Sequence, residues 1–403
     1  MGATAGVARH DGGTSVDRRE FIKKAGIIGI GLPVLAACQP ITRVDFGGLV
    51  ASAVPNLFVP AGFTARTLAT TGSTVLRSDG SATGYTWHDD PDGGGVFPIV
   101  TPTSFDGWVY TSNSEATPGG VGAIKFDAAG NVVDAYSILS GTSNNCAGGV
   151  MPFASGWRWI SCEEIEDGQA WECDPYAPGN GVARPAMGRF YREAVAADTV
   201  NLTIYQTEDR TDGGFYRFTP TTWGDLTAGV LEVMTDLGGG AVGWAVVPDP
   251  DGNPTNTRSQ TVGPDPIKRF NGGEGVWFTD GNVYFTTKGD NRVWRYTPDT
   301  GILTIVYDDT SPFPSPRHLT GVDNLVATTT NRVFVAEDGG NMEIVGVDVA
   351  TGATYPVIRY DITGSEIAGP AFSPDGTRLY FSSQGNPGET FEVSGPWNQN
   401  APA

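Results

Sequence analysis

The 403-residue chain carries 45 Asp and Glu against 25 Lys and Arg, a formal charge of −20, which excludes the basic surface that nucleic-acid binding requires. Its 56 glycines and 28 prolines describe many short strands joined by tight turns rather than long helices. Such acidity suits cations, as bound metals or as counter-ions, and equally a surface kept soluble in salt.

At the N-terminus, Asp17-Arg18-Arg19-Glu20-Phe21-Ile22-Lys23-Lys24 places two arginines ahead of a Phe. An apolar run from Ala25 to Ala37 follows, and Leu35-Ala36-Ala37-Cys38 closes it. A cationic start, a short apolar stretch and small residues before a cut site mark a signal peptide. The run is shorter than the ~20 residues a bilayer span needs, and its glycines and Pro33 weaken it as a core helix. Residues 1–37 are expected to be a twin-arginine lipoprotein signal, with Arg18 and Arg19 as the export pair, a route that carries folded proteins. Cys38 is the expected lipidation site, and two acyl chains there would hold the mature chain on a membrane. Gln39 in place of a retention Asp predicts an outer-membrane destination in a Gram-negative host, so the expected location is the cell envelope, lipid-anchored.

Residues 38–60 are expected to be a linker, and 61–403 a single all-β domain. Gly107-Trp108-Val109-Tyr110-Thr111, Trp157-Arg158-Trp159-Ile160-Ser161 and Asn201-Leu202-Thr203-Ile204-Tyr205 alternate as strands do. From Asp280 to Tyr307, three strands separated by turn residues form an antiparallel meander. Similar units begin near Arg332 and near Ser373. They recur at roughly 45–50 residues, the period of propeller blades. A six-bladed β-propeller fits the length, and a pair of β-sandwiches is the competing architecture.

Several strands run into carboxylates: Glu115, Glu164, Glu208 and Glu337, with Glu193 and Glu274 similarly placed. Equivalent strand ends of a propeller surround one central channel. Acids gathered there would repel unless a cation neutralised them, and an oxygen cluster suits Ca²⁺, Mg²⁺, Mn²⁺ or Fe³⁺. Singly, each is better explained as an exposed turn acid, whereas the set is better explained by metal binding. Cys146, in Asn144-Asn145-Cys146-Ala147-Gly148-Gly149, is either a metal ligand or an inert buried thiol, whereas Cys162 and Cys173 could pair. Downstream of the leader only His88 and His318 remain, so any catalysis must rest on carboxylates and metals.

These residues resemble the PhoX family of calcium-dependent alkaline phosphatases. The resemblance rests on Asn145-Cys146-Ala147-Gly148-Gly149, Ser161-Cys162-Glu163-Glu164, Gly188-Arg189-Phe190, Glu193-Ala194 and Thr207-Glu208-Asp209. Gly214-Phe215-Tyr216-Arg217-Phe218, Glu274-Gly275, Val335-Ala336-Glu337-Asp338-Gly339-Gly340 and Ala368-Gly369-Pro370-Ala371-Phe372 extend it. It implies a six-bladed propeller exported by the twin-arginine route, hydrolysing phosphate monoesters with an Fe³⁺ and Ca²⁺ cluster. By that resemblance Cys146 would be an iron ligand, and Glu115, Glu164, Glu193, Glu208, Glu274 and Glu337 would hold iron or calcium. Glu164, Glu193 and Glu274 would carry the catalytic role. The chain departs from the family where histidines are usual: it has Ser114, Arg192, and Gln384-Gly385-Asn386-Pro387-Gly388. Its acids stay. The alternatives are a non-catalytic metal-binding lipoprotein that binds a ligand or partner, and a lactonase-like calcium propeller.

Overall fold

The hairpin at Asp280 and Gly281 shows how the sequence builds its strands. Both residues have positive φ, 48° and 71°, as a tight hairpin turn demands, and Asp-Gly adopts that geometry at the least steric cost. Strand Gly273–Thr279 therefore folds straight back on Asn282–Thr287, with Thr279 opposite Asn282. Arg292–Thr297 and Ile302–Asp308 extend the meander outward.

The computed structural model describes residues 46–310, 313–328 and 332–397. Arg18, Arg19 and Cys38 lie outside the described residues, so the expected leader and anchor do too. Among the described residues the helical pieces are three short 3-10 turns, and everything else regular is strand. Six antiparallel units succeed one another. Their innermost strands are Pro91–Val100, Asn145–Phe153, Arg192–Asp198, Gly273–Thr279, Val322–Thr328 and Ile367–Phe372. Each inner strand packs beside the next, and the sixth packs beside the first, which closes the ring. The domain is an all-β propeller.

Closure depends on a strand from far upstream. The sixth unit contributes three strands of its own, and Thr64–Thr70 pairs with Glu389–Ser394 to supply the fourth. Leu49–Ala51 and Leu57–Pro60 add to the outer edge of the fifth sheet, Leu57 opposite Tyr360. Part of the expected linker is therefore sheet, because its apolar residues find an open strand edge. The third unit is enlarged by the 14-residue strand Asp225–Gly238, and Ala241–Val246 bridges it to the fourth. That insertion blurs the repeat in the sequence.

Aromatic layers hold neighbouring units together. Phe215 and Phe285 stack at 4.3 Å between the third and fourth, and the Trp108 indole donates to the Tyr380 hydroxyl (3.0 Å) between the first and sixth. Each such side chain contributes about 1.5–3 kcal/mol by burial. Nearer the centre the inner strands approach backbone to backbone. A Cβ on Gly93 would lie 2.4 Å from the Ala147 Cα, and one on Gly275 would lie 2.5 Å from the Leu325 nitrogen. Glycine is needed there for space.

The same irregularity recurs at the start of every inner strand. Register slips between Pro91 and Gly94, Asn145 and Gly148, Arg192 and Val195. It slips likewise between Gly273 and Val276, Val322 and Leu325, Ala368 and Ala371. A bulge bends its strand and re-aims the side chain it contains.

Candidate metal centre

Inside five of these bulges, just after the residue where the slip begins, stand Asp92, Cys146, Glu193, Glu274 and Asp323. The corresponding place in the sixth is Gly369. A second tier comes from the strand paired to each inner one. Immediately beyond the ends of Phe105–Ser114, Gly156–Glu163, Thr203–Glu208, Asn282–Thr287, Arg332–Glu337 and Arg378–Ser383 come Glu115, Glu164, Asp209, Lys288, Asp338 and Gln384. The repeat thus presents the centre with two tiers of side chains, mostly anionic.

Three triads have ligand atoms within 4.8 Å of one another: Asp92, Glu115 and Cys146; Cys146, Glu164 and Glu193; Glu193, Glu274 and Asp323. Cys146 and Glu193 are shared, so the triads form one continuous row across five units. Of the residues expected from sequence, the structure brings together Glu115, Cys146, Glu164, Glu193 and Glu274. Asp92 and Asp323 join them without having been singled out. The signal they share with Glu274 and Cys146 is an acid or thiol followed by a small or short residue at the head of an inner strand.

Glu208 and Glu337 are not in the row. Consecutive strand residues point to opposite faces, and these two end their strands facing backward into the loops. Glu208 accepts from the Gly214 amide (2.8 Å), the Tyr216 hydroxyl (2.8 Å) and Arg258 (2.8 Å). Glu337 accepts from the Thr320 amide (2.6 Å) and the Glu343 amide (3.0 Å). Glu163 does the same for Ser143 and Gln169. The ring positions belong to the next residues, Asp209 and Asp338.

The electrostatics of the row are one-sided. Burial, reinforced by Glu274 and Glu115, pushes Glu164 up to about 11. Burial and Asp209 raise Glu274 to about 8, and burial with Glu115 raises Asp92 to about 7. Glu193, Asp323 and Cys146 are driven well above their ordinary values by burial first and then by the neighbouring acids. Relief within the chain is partial. The Lys288 ammonium lies 2.8 Å from Asp209 and 2.9 Å from Glu274, and Gln384 donates to Asp92 and Glu115. Asn324 donates to Asp323 (2.9 Å) and Glu193 (3.3 Å). Glu193 Oε2 and Asp323 Oδ2 remain buried with no partner. Several kcal/mol are at stake for each charge left so. Carboxylates with one thiol form the donor set of hard cations with one softer position.

The residues that stand where histidines were expected have other duties. Ser114 donates to the Asp89 carbonyl (2.7 Å). Arg192 is fully buried and ties down the carbonyls of Met187, Gly188 and Gly168. His88 sits between the Tyr85 and Ser112 hydroxyls, each at 3.3 Å, and burial lowers it to about 3, so it is neutral. Cys146, Cys162 and Cys173 are all buried free thiols.

Fold and site together define a β-propeller whose channel is lined with acids that Lys288 counter-charges only in part. The sequence profile described as "Alkaline phosphatase PhoX" matches residues 123–388. The chain belongs to this family of phosphatase enzymes. Its fold is similar to that of Pseudomonas fluorescens PhoX in complex with vanadate, a transition state analogue, with a TM-score of 0.69 and 16% identity over 86% of this chain and 97% of the other. A Bacteroides thetaiotaomicron protein of unknown function is also similar, with a TM-score of 0.50 and 12% identity over 82% of this chain and 76% of that one. No curated protein matches it in sequence.

Proposed function

We propose that this phosphatase hydrolyses phosphate monoesters at the cell envelope, with cations held along the row from Asp92 to Asp323. The observation that carries the reading is the pair of buried, unpartnered oxygens on Glu193 and Asp323, set within triads of ligand atoms. Asp92, Glu115, Cys146, Glu164, Glu193, Glu274 and Asp323 would hold the metals, with Ca²⁺ suited to the all-carboxylate triad and Fe³⁺ to those that include the thiol. Bound cations would supply Lewis acidity, neutralising charge on the phosphoryl oxygens during transfer. The chain's own residues do the rest. An ammonium has three donors, and Lys288, 38% exposed with two carboxylates already engaged, can turn the third toward a phosphoryl oxygen. Gln384 orients Asp92 and Glu115, and Asn324 orients Glu193 and Asp323. The bulges fix where the acids, and so the cations they would hold, stand before any ester arrives, which is how preorganised electrostatics lower a barrier.

Envelope placement rests on the leader. A metal-loaded site assembled in the cytoplasm requires folded export, which agrees with Arg18 and Arg19, and Cys38 would keep the product attached. Protein expressed with its own leader should contain Ca and Fe by elemental analysis and should turn over p-nitrophenyl phosphate. Bound metal without turnover on any monoester would sink the catalytic reading. Fatty-acid labelling should disappear in Cys38→Ala, and an unlabelled wild-type chain would remove the anchor.

A further inference from the structure

Between the fifth and sixth units a cavity of about 490 Å³ opens beside the acid row. Gln384 forms its inner wall and donates to Asp92 and Glu115, so whatever enters the cavity lies next to the first triad. One flank is apolar, made by buried Met342 and half-buried Ile362. The other carries two carboxylates, exposed Asp338 and half-buried Glu366, which are bridged through their backbones. Glu366 in turn feels the charges of Asp92 and Glu115. The nearest cation described in the two tiers, Lys288, is engaged with Asp209 and Glu274.

We propose that this cavity receives the alcohol half of the phosphate ester, and that the alcohol it favours bears an ammonium group. The substrate class is then phosphorylated amino alcohols, of the phosphoethanolamine and phosphocholine kind. The inference rests on the phosphatase reading above. Its logic is complementarity on both flanks. The methylenes of an amino alcohol lie on Met342 and Ile362, while its ammonium meets Asp338 and Glu366 across a partly desolvated opening. A second phosphate on the substrate would face the same two carboxylates with like charge. A neutral polyol would gain no ion pair and would press hydroxyls against the apolar flank. Hydrolysis adds one water, breaks the ester P–O bond, returns a proton to the departing alcohol and releases inorganic phosphate. The ammonium keeps its charge throughout, so its pairing lasts until the alcohol leaves.

The test compares kcat/KM of the metal-loaded, full-length protein for p-nitrophenyl phosphate, phosphoethanolamine, phosphocholine, glycerol 3-phosphate and a sugar bisphosphate. Both ammonium esters should exceed glycerol 3-phosphate by roughly two- to fivefold, the scale of a partly exposed ion pair, and the bisphosphate should be the poorest. The advantage should shrink as salt is raised. In Asp338→Asn the ratio of phosphocholine to glycerol 3-phosphate should fall to about one, and Asp338→Lys should invert it, whatever either variant does to overall rate. A wild-type ratio at or below about one, with p-nitrophenyl phosphate still hydrolysed, overturns this inference alone. Failure to hydrolyse any ester overturns the phosphatase reading, and this inference with it.

Discussion

Glu193 and Glu208 lie on paired strands of the third unit, and both are fully buried. Their surroundings are opposite. Glu208 spends both oxygens on an amide, a hydroxyl and a guanidinium. Glu193 has one long contact from Asn324 and one oxygen with nothing, among Cys146, Glu164, Glu274 and Asp323. Burial of an acid therefore does not mark a site. What separates the two is whether the chain completes the acid's hydrogen bonding or leaves that to something it must bind. A buried acid with all its partners serves structure, and one left without them among other ligand atoms is a candidate to hold a cation.

The largest expected effect exchanges their phenotypes. Glu193→Gln should lower kcat by about 10²–10³ and reduce metal content, yet the metal-free protein should resist urea as well as wild type, since burial and the neighbouring acids already hold that carboxyl well above its ordinary range and it has no full set of partners to lose. Glu208→Gln should do the reverse. It should lose about 1.5–3 kcal/mol of stability through its weakened bond to Arg258 and keep its metal. Elemental analysis beside urea titration reads both, and equal metal loss in the two variants would erase the distinction.

Metal removal sharpens the comparison at a smaller scale. A cation that binds the folded chain alone stabilises it by about 2.7 kcal/mol at a hundredfold excess over its Kd. A chelator should therefore lower the melting temperature of wild type and of Glu208→Gln, and should barely move Glu193→Gln. A chelator shift that survives in Glu193→Gln would place the stabilising cation elsewhere.

The same contrast explains what could be read from the sequence. Asp-Gly and Thr-Gly turns with alternating apolar residues disclose the meanders, because hairpin geometry is local. Closure by Thr64–Thr70 is invisible, since its partner strand lies at the far end of the chain. Glu115, Cys146, Glu164, Glu193 and Glu274 stand out as acids or a thiol beside strands. Asp92 and Asp323 hide, for Pro91-Asp92-Gly93-Gly94 and Gly321-Val322-Asp323-Asn324 have the composition of turns, and only the bulge aims them at the channel. Glu208 and Glu337 mislead by one residue. Strand parity decides which of two adjacent acids faces the centre, and sequence does not say where the strand stops.

Glu337 and Asp338 put that parity to its smallest test. Glu337 accepts one amide on each oxygen, and burial raises it to about 8. In Glu337→Gln one oxygen survives, so one of the two amides loses its acceptor, at a cost of about 1 kcal/mol. Metal content and the substrate ratio should not change, whereas the ratio should respond at Asp338, a single peptide unit away. Loss of metal in Glu337→Gln would mean that this glutamate turns toward the channel once cations are bound, and the parity rule would then fail at the fifth unit.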